Sequence, residues 1–202
     1  MTSGAEVTLP VGDEETWTKD LDSASLGDLV ALCRADAPST TEKGARLERL
    51  MTWLLPHIPG FKVERRHAWS DTGSQEIDLI VWNEKIPGGF PAFGETVLVE
   101  CKNKKDPVDV RDVAWFYWKM RRADVTDGVL VAANGITGDR ERRLAAYDIL
   151  YEANQEHRRI MVVDLEQIDA LVDRQSLRQL LIDRRLDLAQ LGSPDETTPP
   201  PA

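Results

Sequence analysis

Several things are scarce in this chain, and each scarcity removes a class of function. Only two cysteines occur among 202 residues, Cys33 and Cys101. They make no CxxC pair, so no disulfide framework is expected and a reducing compartment suits the chain. The three histidines, His57, His67 and His157, have neither metal-ligand nor HNH-type spacing, which leaves them structural or exposed. No apolar run reaches the length of a membrane span. The first residues, "MTSGAEVTLPVGDEETW", have neither the basic region nor the apolar core of a secretory leader, so a cytoplasmic location is expected. No GxGxxG, GxSxG or phosphate-loop pattern is present, and no internal repeat. Positive charge is also in deficit: the net charge is −10, the opposite of a broad nucleic-acid-binding surface.

The deficit is unevenly spread. Residues 1–40 carry eight acids against two bases, and residues 193–202 carry two acids and no base. Between 100 and 122 there are seven bases against four acids. A near-neutral core with one locally basic stretch is compatible with a local, salt-sensitive contact to a polyanion.

Hydrophobic spacing predicts the elements. "SASLGDLVALCRADAP" reads as a short helix capped by Ser23 or Ser25, and "STTEKGARLERLMTWLLPHIPG" as a stronger one capped by Thr40 or Thr41. Three strands follow, "FKVERRHAW", "QEIDLIVWN" and "TVLVECK", the last two separated by the Gly/Pro loop "IPGGFPAFGE". "PVDVRDVAWFYWKMRRAD" reads as a helix with Val110, Val113, Tyr117 and Met120 on one stripe. Then come a strand "DGVLVAANG", a helix "TGDRERRLAAYDILYEANQEH", a strand "RRIMVVD" and two closing helical segments. Residues 1–38 form an acidic extension with one short helix, 39–191 the main domain, and 192–202 a disordered tail. A meander that feeds alternating helices and strands predicts an α/β fold with a mixed sheet.

The chemistry concentrates at the ends of two apolar strands. In "VECK" the side chains of Glu100 and Lys102 share one face, while Val99 and Cys101 point the other way. If the strands pair as an antiparallel meander, Asp78 joins them. Two converging carboxylates repel, which raises a pKa or recruits a hard divalent cation such as Mg²⁺; the Cys101 carbonyl offers a further oxygen. A lysine beside such an ion orients or activates water, or stabilises charge on a phosphate. An acid-x-base triplet by itself is a weak signal, since on an exposed strand it is an ordinary solvated pair. Here the acids adjoin the most apolar strands of the chain, where unmatched charge is costly.

Asp78, a loop and then Glu100-Cys101-Lys102 resemble the signature of the PD-(D/E)xK nuclease superfamily, with Ile77 where the name has proline. The stretch "EKGARLERLMTWLL" is similar to the helix that precedes the core in Mrr-like, type IV-like restriction endonucleases. "CKNKKDPVDVRDVAWFYWKM", "GVLVAANGITGDRERRLAA" and "RRIMVVDLEQIDALV" resemble later stretches of that family in order and spacing, so the likeness covers roughly residues 40 to 173. It implies a restriction-endonuclease-like fold and a metal-dependent endonuclease acting on DNA in prokaryotic defence against foreign DNA. Asp78 and Glu100 would bind Mg²⁺ or Mn²⁺, Lys102 would position the attacking water, and Glu48 would support the metal from the helix.

Other residues have two readings each. Glu76 is a second ligand or, more simply, a solvated strand acid. Lys104 and Lys105 are candidate DNA contacts or plain surface. The block Trp115, Phe116, Tyr117 and Trp118 offers base stacking, although core packing or a dimer face suits a regular helix better. "AANGITGD" suggests a strand end leading into a helix N-terminus with room for an anion. Two further functions stay open: a non-catalytic nucleic-acid- or protein-binding module on the same fold, and a nuclease for DNA repair or junction processing. No segment resembles a reader domain, so targeting is expected from a partner protein or from a homodimer.

Overall fold

The computed structural model describes residues 20–69, 76–140, 142 and 144–191, without the side chains of residues 65–69 and 76. The acidic segment 1–19, the tail 192–202 and the side chains of Glu76 and His67 therefore lie outside the described residues. Six α-helices are described: α1 (Ser23–Arg34), α2 (Thr40–Leu54), α3 (Val110–Arg122), α4 (Ala146–Gln155), α5 (Leu165–Asp169) and α6 (Arg174–Gln190). They flank a sheet of five strands, β1 (Phe61–Trp69), β2 (Glu76–Asn83), β3 (Thr96–Lys102), β4 (Asp127–Ala132) and β5 (Arg159–Val163), in that spatial order. The first three strands run as an antiparallel meander; β3, β4 and β5 are parallel. This is the mixed, helix-flanked α/β sheet that the element order predicts, with α1 as an N-terminal helix.

Period-two alternation sorts the strand residues between two cores. On one face Leu79, Val81, Val97, Val99, Cys101, Val129 and Val131 pack with α1, α2 and α5. On the other Leu98, Leu130, Ala132 and Ile160 pack with α3 and α4. Helix α6 serves both: Leu177 and Leu181 enter the first core, Leu188 the second. Strand β4 is buried along its whole length, as the inner member of a parallel trio covered on both sides must be.

Local chemistry moved several boundaries. Asp22, not Ser23 or Ser25, caps α1, and its carboxylate accepts from Ala24 N and from the Ser25 hydroxyl. Ser39, not Thr40 or Thr41, caps α2 by accepting from Glu42 N at 3.1 Å. In each case the residue just outside the turn holds the extended conformation a cap needs. Helix α4 begins only at Ala146, far beyond the expected "TGD". Gly138 at φ 115° turns the chain so tightly that a Cβ there would meet the Leu144 carbonyl oxygen at 2.1 Å. Among the described residues no helix N-terminus therefore follows β4 directly, and "AANGITGD" does not lead into one as expected. The loop between β2 and β3 is more than a connector, because Phe90 and Phe93 stack at 4.3 Å and are buried. The buried amide of Asn83 anchors it, donating to Phe90 O and Gly94 O.

Candidate active site

The end of the β2–β3 pair opens next to α2, and the candidate residues meet there. The register sets Leu79 opposite Val99, which carried one residue further puts Asp78 across from Glu100. The ladder stops at this point, and the Asp78 side chain takes over: its Oδ2 accepts from the backbone N–H of Cys101 at 2.7 Å. Glu100 and Lys102 share a face as expected, with Lys102 Nζ donating to Glu100 Oε1 at 2.8 Å. Glu100 is 1% exposed.

The charges here act on one another. Burial, then the Glu100 carboxylate and, further off, Glu48 push the Asp78 carboxyl up to about 7, against the Cys101 N–H and Lys102, which favour the ionised form. Glu48, on α2, is thus brought electrostatically into the same group. Burial works against the Lys102 ammonium, yet Glu100, with Asp78 and Asp112 behind it, outweighs that and raises its pKa. The Cys101 thiol is raised as well, by burial first and then by Asp78, Glu48 and Glu100. It is packed in the α2-side core, the location of a structural cysteine and not of a nucleophile.

Two contributors escape a reading of spacing alone. Lys119 of α3 donates to both carboxylate oxygens of Glu100, at 2.9 and 2.7 Å, and is itself buried. Its signal is a lysine beside Phe116 and Met120 on the buried stripe, but only the fold supplies its partner. Asn103, just past β3, donates to Cys33 O and Lys43 O, both at 3.0 Å. It ties the strand end to α1 and to the helix that carries Glu48.

The remaining candidates scatter. Lys104 is ion-paired with Asp112, and Lys105 is exposed. The buried stripe of α3 is Val113, Phe116, Lys119 and Met120; Val110 is exposed and Tyr117 only half-buried. The aromatic block is therefore divided. Phe116 is core, whereas Trp115 and Trp118, 47% and 37% exposed, stack on each other at 4.7 Å with Arg122 over Trp118. The buried His57 Nδ1 faces the carbonyls of Trp53 and Leu54 at 3.1 and 3.2 Å, and burial lowers its pKa. His157 is on the surface.

Among the described residues no three His, Cys, Asp or Glu side chains are grouped as a ready-made metal cage. The oxygen donors nevertheless suit a hard divalent cation. Asp78 is a carboxylate whose ionisation its surroundings oppose, and a cation beside it would turn the repulsions from Glu100 and Glu48 into shared attraction. A buried acid pair with a lysine alongside is also the equipment of phosphodiester hydrolysis.

Comparison with known proteins agrees with that chemistry. A family model of the Mrr catalytic type, described as restriction endonuclease, matches residues 40–181. No curated protein and no solved structure gives a significant match.

Proposed function

The chain belongs to the restriction endonuclease family of the Mrr catalytic type, and from that premise we propose that it is a divalent-metal-dependent endonuclease cutting DNA in prokaryotic defence against foreign DNA. The family makes it a nuclease acting on DNA. The observation that supports metal dependence is the Asp78 carboxyl, raised to about 7 by burial and by two neighbouring acids. Asp78 and Glu100 would hold Mg²⁺ or Mn²⁺, with the Cys101 carbonyl and Glu48 in support. Such an ion, when bound, polarises the phosphate and acidifies a bound water.

The chain's own residues divide the remaining work. With its pKa raised, Lys102 acts as an ammonium and not as a base. It orients the attacking water by hydrogen bonding and offsets charge developing on the phosphate. The Cys101 N–H holds Asp78 at the strand end, and Asn103 keeps α2 in place. Lys104 and Lys105 meet the DNA backbone beside the site. Residues 39–191 are the nuclease domain, with 1–38 an acidic extension and 192–202 a tail. We further propose a cytoplasmic homodimer, because cutting two strands takes two sites, with a partner protein supplying the targeting that an acidic chain lacks.

Plasmid DNA incubated with Mg²⁺ or Mn²⁺ tests the reading. Wild-type protein should nick or linearise it, while Glu100→Ala and Lys102→Ala should each be slower by about a hundredfold or more. Equal cleavage by wild type and both variants, or no cleavage with either metal, overturns it. A second reading, a non-catalytic DNA-binding module, draws on the neutralisation of Glu100 by two lysines. It predicts retention of DNA in a gel-shift without any cleavage.

A further inference from the structure

We propose that Lys119 is a positioning residue of the nuclease centre. It supplies the standing counter-charge of Glu100, so that Lys102 is free to leave that carboxylate for the substrate phosphate. This rests on the nuclease reading above. The charges at Glu100 are unbalanced: one carboxylate has two ammonium partners. Lys102 Nζ comes within 2.8 Å of Oε1, and its side chain is 25% exposed. Lys119 Nζ touches both oxygens, at 2.9 and 2.7 Å, and its side chain is 5% exposed.

The placement of Lys119 follows from its helix. It shares the buried stripe of α3 with Val113, Phe116 and Met120, and helical side chains lean toward the helix N-terminus. Its apolar stem therefore runs back beneath the helix toward the C-terminal end of β3, and the ammonium emerges at Glu100. Lysine is rarely buried unless paired, and Lys119 is paired with Glu100.

The consequence concerns Lys102. Were it the sole cation beside Glu100, any swing toward a phosphate would strand a buried carboxylate without a partner, which is costly. With Lys119 bridging both oxygens, that cost is removed, and the partly exposed Lys102 is the cation to spare.

Two variants and one spectroscopic measurement test this. Lys119→Met keeps the stem volume and removes the charge; Lys119→Arg keeps the charge and offers two parallel donors. In plasmid cleavage with Mn²⁺, Lys119→Met should lower kcat by roughly a hundredfold, with KM for DNA changed less than about threefold. Lys119→Arg should recover to within about tenfold of wild type. Calorimetric titration of Mn²⁺ into DNA-free protein should show binding by Lys119→Met at least as tight as wild type, because a competing ammonium has left Glu100, so that the lower kcat does not come from a lost ion. On the wild-type full chain, ¹⁵N-labelled lysine side chains are followed by NMR as Ca²⁺ and a short DNA duplex are added. The Lys102 resonance should shift and the Lys119 resonance should stay, a result that needs no folded variant. Lys119→Met cutting at the wild-type rate, or Lys119 shifting as far as Lys102, overturns the proposal. A wild-type protein that cuts nothing overturns instead the nuclease reading on which it rests.

Discussion

Asp78 is a residue whose surroundings mostly oppose its charge, and that has a measurable sign. Its carboxyl is pushed up to about 7 in the folded chain because burial, Glu100 and Glu48 favour the protonated form. Between the ordinary aspartate range and 7 the folded state binds more proton than the unfolded one, so its contribution to stability is present at acid pH and lost as pH rises through 7. Thermal melts in chelator from pH 4 to 8 should show Asp78→Asn gaining on wild type by a few kcal/mol toward the alkaline end. Parallel curves would remove this account. Added Mn²⁺ should raise the wild-type melting temperature more at pH 8 than at pH 5. The thiols make a second prediction at this scale. Burial pushes Cys33 up to about 11, and Cys101 is raised by burial and by three acids. Neither should react with a thiol reagent at pH 8 until denaturant is added. As candidates, Asp78, Glu100, Lys102 and Glu48 were legible in the sequence because their types and order suit the chemistry and resemble the family signature. Lys119 was not, because its partner lies on a strand that only folding brings beneath its helix.

Among the elements, α3 was legible as a helix but not in its phase. "VAWFYW" is apolar nearly all round, so several stripes fit the sequence equally well. Packing chose the one through Val113, Phe116 and Met120, because β4 offers Gly128 as the floor beneath them. A Cβ on Gly128 would meet Met120 Sδ at 2.6 Å and Phe116 Cζ at 2.9 Å. Gly128→Ala should therefore destabilise the protein by about 1–3 kcal/mol in urea unfolding; an unchanged midpoint would mean that α3 can lift without cost. The opposite face keeps Trp115 and Trp118 exposed, a distinction that only the position of the sheet could draw. Helix α4 shows a different limit: its composition is helical well before Ala146, but the turn at Gly138 and the positive φ of Ala145 delay its start.

Across the whole molecule, the last helix is joined to the sheet by an ion pair whose acid is buried and whose arginine is half-buried. Arg185 of α6 donates to Asp127 of β4 at 2.6 Å and to Ala92 O at 3.0 Å, and lies over the Phe93 ring. The other Asp127 oxygen accepts from Gly94 N and the Thr126 hydroxyl. Arg185→Met leaves a buried carboxylate short of its cation, and a loss of about 3–5 kcal/mol in urea unfolding is expected. A loss below 1 kcal/mol would show that the two remaining donors suffice. The charge of the whole chain has a consequence too. With a net −10, DNA contact depends on a small local set of cations, so affinity should fall with a shallow slope against the logarithm of salt concentration. A steep slope, of the kind that many phosphate contacts produce, would place the DNA on a broader surface than the one beside Lys102.

By itself the sequence determined the element order, the mixed sheet, and the pairing of Glu100 with Lys102. These follow from periodicities of two and 3.6 and from alternation along a single strand, which are local properties. It also carried the family likeness, through short motifs whose joint order is informative. Only the tertiary structure decided which face of α3 is buried, where α4 begins, and that Asp78 closes onto the Cys101 N–H. It alone decided that Glu100 answers to two lysines. Each of these depends on groups distant in the chain meeting at contact distance, and the free energy of burying a charge depends on what lies against it, which no neighbour in sequence specifies.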